Sequence, residues 1–384
     1  MNQMGFVPPS RPPAVPALVS FSGDRGEFRR LVTRGALLEL VTVGFYRFWL
    51  ATDIRRHLWA HTAVDGDAAE YTGRGKELLI GFLIALSVLV PVYLAYFLIS
   101  LEAERIKAFA SFPLLAFLYV FGQFAIYRAR RYRLTRTVWR GVRFWMSGSG
   151  WAYAARAALW GLLMMVTLGL ILPWREAALE RYKMRHSYYG DLKGSFEGTG
   201  WEFFKRGWWL WPLAILSIYV FPLAPFIYAA FKAVEWRWWI SGIRFGGVSL
   251  QSKLRRRDLF GLYWKVIGWA LLLVLAFAAY ETVCAFLLAS MSGATIDQFF
   301  KQIAVARSLA ASVPMAALTV VGYLALVLSL NVVMRVYLLR DLWARVVAST
   351  SVRGIEAAAN VSARGELANA LGEGFADGLD IAGF

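Results

Sequence analysis

Two histidines stand four residues apart, His57 and His61, and Asp65 and Asp67 follow closely. On a helix this spacing stacks two imidazoles on one face, a geometry that can hold zinc. A zincin motif needs Glu directly after the first His, and Leu58 occupies that place. The expected role of the pair is therefore one face of a helix beside a membrane, and no metal site and no cofactor are expected. Single polar residues inside apolar stretches are better placed for activity: Glu281, Asn331, Gln123 and Glu39. A lone carboxylate at depth is costly, so Glu281 should be protonated, paired or facing water. Three readings stay open for it: a hydrogen bond to Asn331 or a nearby Ser, a solute or proton position in a transport path, or a wet interfacial location.

Glycine pairs form the third group. Phe21-Ser-Gly23-Asp-Arg-Gly-Glu27, Tyr71-Thr-Gly73-Arg-Gly75-Lys-Glu77 and Phe196-Glu-Gly198-Thr-Gly200-Trp-Glu202 share one frame: aromatic, any residue, Gly, three residues, Glu. Degenerate copies stand at Met146 to Gly150 and Phe245 to Gly247. A phosphate cradle would need a preceding strand and a soluble βαβ unit. Here an apolar run follows, so the frame predicts a tight turn or short hairpin leading into a helix whose first turn carries the Glu. No Gly-x-Ser-x-Gly elbow or P-loop is present, and three His and one Cys leave few nucleophile–base pairs. The chain is expected not to be an enzyme.

These residues are positioned by a membrane chain. Of its 384 residues 59% are hydrophobic and only 17% charged, which is far from a soluble average. Seventeen Trp suit membrane–water interfaces. The net charge of +17 lies in short loops between apolar runs, for example Arg128 to Arg136, where anionic lipid attracts it. Anionic membrane lipids are thus expected partners, with a protein partner or a homo-oligomer beside them and no nucleic acid. Cys284 is the only cysteine, so no intramolecular disulfide forms.

The expected fold class is all-α: a polytopic helical membrane protein with internally duplicated units, six to seven hydrophobic segments and short glycine-turn elements at the interface. Residues 1–20 form a Pro-rich tail read as disordered, with no cleavable signal. A first unit, 21–145, holds hydrophobic segments 31–49, 78–100 and 112–127. A second, 146–244, holds 157–174 and 208–231. A partial third, 245–347, holds 266–290 and 313–334, and 348–384 is a tail ending in acidic residues. Val41 to Trp49 matches Val166 to Trp174, each followed by a polar helical stretch, which supports the duplication.

The block Thr42-x-Gly-x-Tyr-x-Phe-Trp49, the run Tyr71-Thr-Gly-x-Gly-Lys-Glu-Leu78, Thr167-Leu-Gly-x-x-x-Pro-Trp174 and the ending Gly372 to Asp380 resemble the YjgN-like family of bacterial inner-membrane proteins, a domain of unknown function. The resemblance implies a multi-pass protein of the bacterial inner membrane and brings no reaction, ligand or catalytic residue. Transport of a solute or ion is the expected function. The alternative is a scaffold that binds lipid or protein through a basic, Trp-rich cytoplasmic face.

Topology gives one more expectation. Simple alternation of seven crossings would place the basic stretches 128–156 and 175–207 on opposite sides, against the positive-inside tendency. The conflict disappears if segments 31–49, 157–174 and 208–231 dip and return, leaving every glycine motif on the cytoplasmic side.

Overall fold

A computed structural model of the chain describes residues 16–102, 107–220, 223–293, 295, 297–299, 301 and 309–368. The Pro-rich stretch 1–15, Pro222 and the acidic ending with Glu373, Asp377 and Asp380 lie outside them.

The all-α expectation is overturned. Ten short strands close into an antiparallel barrel in the order β1-β10-β9-β8-β7-β6-β5-β4-β3-β2. They are β1 (Ala17–Phe21), β2 (Thr62–Val64), β3 (Asp67–Tyr71), β4 (Thr137–Trp139), β5 (Val142–Met146), β6 (Ser187–Tyr189), β7 (Leu192–Phe196), β8 (Ile243–Phe245), β9 (Val248–Ser252) and β10 (Thr350–Arg353). Each has only three to five residues. Segments this short show one or two alternations and vanish beside helices several times longer. Closure supplies what they lack alone, since Ala17 pairs with Val352 and no edge stays open.

Four two-residue turns join β2–β3, β4–β5, β6–β7 and β8–β9. Backbone φ is positive at Asp65 and Gly66 and again at Arg140 and Gly141, as hairpins twisted like their strands require. Val64, Val142, Phe144, Leu192, Phe245 and Val352 pack with Trp139 and Tyr189 as the barrel core. Ile355–Ala358, a 3-10 turn, packs on that core, and the Ser362 amide donates to Asp191 Oδ1 at 3.1 Å. Residues 355–362 thus lie across the turn end of the barrel.

Between the tight turns the chain makes five helical excursions. The first is α1 (Arg25–Val41) and α2 (Arg47–Ala60); the second is α3 (Gly75–Glu102) and α4 (Lys107–Thr135). The third is α5 (Gly150–Val166) and α6 (Leu172–Arg185); the fourth is α7 (Gly200–Gly207), α8 (Leu210–Tyr219) and α9 (Ala224–Gly242). The fifth is α10 (Arg256–Met291), α11 (Leu309–Met334), a π-helical turn Arg335–Asp341, and α12 (Leu342–Ala348). Because every neighbouring strand pair is antiparallel, all odd strands point the same way. All five excursions therefore leave from one end of the barrel, and all four tight turns sit at the other.

Four helices are long and apolar enough to cross a membrane: Gly75–Ile99, Phe112–Thr135, Arg256–Met291 and Val313–Ala348. They are the long arms of the second and fifth excursions. Of the other hydrophobic segments, 31–49 and 157–174 are helix–turn–helix arms too short for this. Their tips use one device: Thr42 Oγ1 donates to Leu38 O at 2.7 Å and Thr167 Oγ1 to Leu163 O at 2.8 Å, followed by positive φ at Val43–Gly44 and Leu168–Gly169. Val43 and Leu168 are almost fully exposed, 87% and 89%, as suits apolar tips meeting lipid. Segment 208–231 likewise folds into α8 and α9 and returns.

Candidate functional site

The glycine motifs stand where strands hand over to helices, at the helical end of the barrel. A Cβ on Gly23, Gly73 or Gly198 would lie 2.6 Å from the ring of Phe21, Tyr71 or Phe196, so each glycine is required by the aromatic two residues before it. The second glycine serves the neighbouring excursion: a Cβ on Gly75 would meet Trp49 Cα at 2.8 Å, and one on Gly200 would meet Trp174 Cα at 2.7 Å. Close packing explains these pairs. Phe245–Gly247, read as a further copy, occupies β8 and the β8–β9 turn at the opposite end.

The helices start on side-chain caps. Asp24 Oδ2 accepts from the Glu27 amide at 2.7 Å, and Thr199 Oγ1 accepts from the Glu202 amide at 3.2 Å. The returning helix then approaches the motif through its residues five and one before the next strand. In the first excursion these are His57 and His61; in the second, Tyr132 and Arg136. Tyr132 donates to Glu77 Oε2 at 2.8 Å and Arg136 pairs with the same oxygen at 2.7 Å. The third excursion places Tyr182 and His186 there opposite Ala152, and the fourth Trp238 and Gly242 opposite Glu202.

In the first excursion a carboxylate oxygen of Glu27 and one nitrogen from each of His57 and His61 all lie within 4.8 Å of one another. Burial foremost, with His61 beside it, lowers the His57 pKa below its ordinary value, so the ring is held neutral. The π-helical turn grips this region: Arg335 pairs with Glu39 at 3.4 Å, Asp341 with Arg25 at 2.7 Å, and Arg340 donates to Gly23 O. Glu39, expected as a lone polar residue, is thus ion-paired.

A second charged cluster joins the second and third excursions. Glu180, on α6 and 6% exposed, accepts from Arg130 of α4 at 3.0 Å and from Lys183. Burial pushes its pKa up, but the two cations outweigh that and hold it at about 2. Sequence reasoning missed this trio. Its only signal was an acid in a strongly basic stretch.

Within the long arms, Glu281 Oε2 accepts from Thr319 of α11 at 2.8 Å, not from Asn331 or a Ser. Glu281 Oε1 and Asn331 Oδ1 are buried without a hydrogen-bond partner among the described residues. Gln123 is half-buried on α4. The four membrane-length windows bury only 17%, 17%, 11% and 0% of their residues inside the protein.

At the foot of α10 a cavity of about 480 Å³ is lined by Arg206, Arg237, Arg255, Arg256 and Arg257 over Ala233, Val234 and Leu254. None of Arg206, Arg237 and Arg257 has an ion-pair partner among the described residues. The run Arg255–Arg257 was visible in the sequence, but Arg206 and Arg237 join it only through packing of α7 and α9 against α10.

Neither the curated proteins nor the solved structures contain a match to this chain. A family model does match, across residues 16–222, the first three excursions and part of the fourth. That is over half of the 384 residues, and it agrees with the resemblance carried by the Thr42–Trp49 and Tyr71–Leu78 motifs. The chain belongs to the family of bacterial proteins of unknown function known as DUF898.

Proposed function

We propose that the protein is a non-enzymatic, multi-pass scaffold of the bacterial inner membrane whose basic barrel rim holds anionic phospholipid head groups on the cytoplasmic side. The arginine cavity at the foot of α10 carries this reading. Five arginines gather around one mostly apolar cavity beside a membrane-length helix, and Arg256 also lies over the Trp209 ring at 4.5 Å. Such crowding of like charge is offset by a phosphate, which guanidinium forks bind bidentately. The apolar floor suits the glycerol end of the same molecule. The five excursions are read as copies of one duplicated strand–helix–helix–strand unit, which explains why motif, cap and returning helix recur in register.

Native mass spectrometry of the full chain released from membranes containing phosphatidylglycerol tests this reading. Wild type should retain phosphatidylglycerol, and Arg206→Gln/Arg237→Gln/Arg257→Gln should lose at least ten-fold of it. Equal retention by both proteins defeats the proposal.

Transport of a solute or ion keeps one observation in its favour, the unpartnered oxygens of Glu281 and Asn331. Proton-coupled uptake into proteoliposomes that is lost in Glu281→Gln would support it.

A further inference from the structure

We infer that Glu27, His57 and His61 form a binding site for a divalent transition-metal ion of the zinc class. Two imidazoles and a carboxylate are a ligand set that zinc accepts, with a fourth position left for water. The three donor atoms already lie within 4.8 Å of one another, although Glu27 belongs to α1 and the histidines to α2. A tetrahedral shell with bonds of about 2.0–2.2 Å sets donors about 3.3 Å apart. Closing the remaining gap is a task for Glu27, whose side chain is 55% exposed and makes no hydrogen bond through its carboxylate among the described residues.

The histidines are held in place for this. Their rings lie 4.2 Å apart on successive turns. His61 Nδ1 is 2.7 Å from the His57 carbonyl, a contact that fixes the ring with Nε2 free, as second-shell carbonyls do for metal-bound imidazoles. His57 is the independent sign of a ligand. It is only 7% exposed, its Nε2 has no hydrogen-bond partner among the described residues, and its other nitrogen, Nδ1, lies a long 4.0 Å from Glu27 Oε1. A buried imidazole nitrogen with no hydrogen bond is costly unless something binds it.

Charge around the site is favourable. Asp24 caps α1 beside Glu27, and one nearby cation, Arg340, is held by Asp341 at 2.7 Å and by the Gly23 carbonyl. The other excursions sharpen the case. His186 also sits 2.7 Å from a carbonyl through Nδ1, but lies tilted against Tyr182 at 4.5 Å and faces no carboxylate from its motif, where Ala152 stands. Glu77 has its carboxylate occupied by Tyr132 and Arg136.

The test uses the full chain, purified through a histidine-free tag, stripped with a chelator and titrated with Zn²⁺ by calorimetry and with Co²⁺ by visible absorption. One equivalent should bind, and Co²⁺ should show the intense bands of a low-coordinate site. Glu27→Gln and His61→Gln, both at partly exposed positions, should each weaken binding at least ten-fold, while His186→Gln should bind as wild type. Metal should raise the melting temperature of wild type and of His186→Gln, but not of His61→Gln. Absence of stoichiometric binding by wild type, or unchanged binding by His61→Gln, overturns the inference.

Discussion

The first and second excursions return to the barrel through the same two helix positions, yet one closes its motif carboxylate and the other leaves it open. Behind Glu77 stand Tyr132 and Arg136, and both bind it. Behind Glu27 stand His57 and His61, and neither comes closer than a long contact. The backbone frame is shared in its close-packed glycine and aromatic strand end, although the Asp24 side-chain cap of the first is replaced in the second by the Arg74 carbonyl. The comparison teaches that the frame is structural and that chemistry enters through two side chains of the returning helix.

The largest effect is expected at the seam between the second and third excursions. Glu180→Gln leaves Arg130 and Lys183 buried without their anion and should cost about 3 kcal/mol, read as a lower melting temperature. Its pH dependence has a definite sign. A carboxylate held at about 2, below its ordinary 4.5, contributes fully above about pH 4.5 and loses that contribution as pH falls toward 2. The wild-type advantage over Glu180→Gln should therefore be flat from pH 7 to 5 and shrink below. A difference that shrank between pH 7 and 6 would refute the pairing.

Next come the two motif acids. Glu77→Ala should destabilise by about 2 kcal/mol because Arg136, 12% exposed, loses its partner. Glu27→Ala in metal-free protein should change stability by less than about 0.5 kcal/mol. Equal costs in thermal melts would erase the contrast between the two excursions. Grafting sharpens it from the other side: His57→Tyr/His61→Arg should pair Glu27 and abolish Zn²⁺ binding while the fold survives.

Smaller effects follow for the shared frame. Gly23→Ala and Gly73→Ala should each cost about 1–2 kcal/mol, since either Cβ presses on an aromatic ring that can give only slightly. Similar losses at both sites would bear out a common structural role. The smallest change is expected far from both, at Glu281. Glu281→Gln keeps the hydrogen bond from Thr319 and should accumulate in membranes like wild type, whereas Glu281→Leu should accumulate less.

The sequence made some of this legible and hid the rest for physical reasons. The long arms are plain because about twenty apolar residues are needed to cross a bilayer, and residues 78–100 and 266–290 meet that need. The glycine motifs were legible as turns into helices, and their acids as first-turn residues. The barrel was not, because a strand such as Thr62–Val64 has too few residues to show a period, and its pairing with Val19–Phe21 is across forty residues. For the same reason His57 and His61 were visible as a pair while their carboxylate was sought in Asp65 and Asp67. Asp65 and Asp67 instead pair with Arg140 at the turn end, and Glu27 arrives from a helix thirty residues earlier.

The barrel is one-sided, with every excursion leaving from a single end. Single cysteines at Asp65, Ser147, Asp191 and Gln251, in a Cys284→Ala background, can be probed with a membrane-impermeant maleimide on intact cells and on inverted membrane vesicles. All four should stay unlabelled on intact cells and react in inverted vesicles. Labelling of the position-191 cysteine on intact cells, with the position-65 cysteine protected there, would place two turns of the barrel on opposite sides of the membrane and contradict the account.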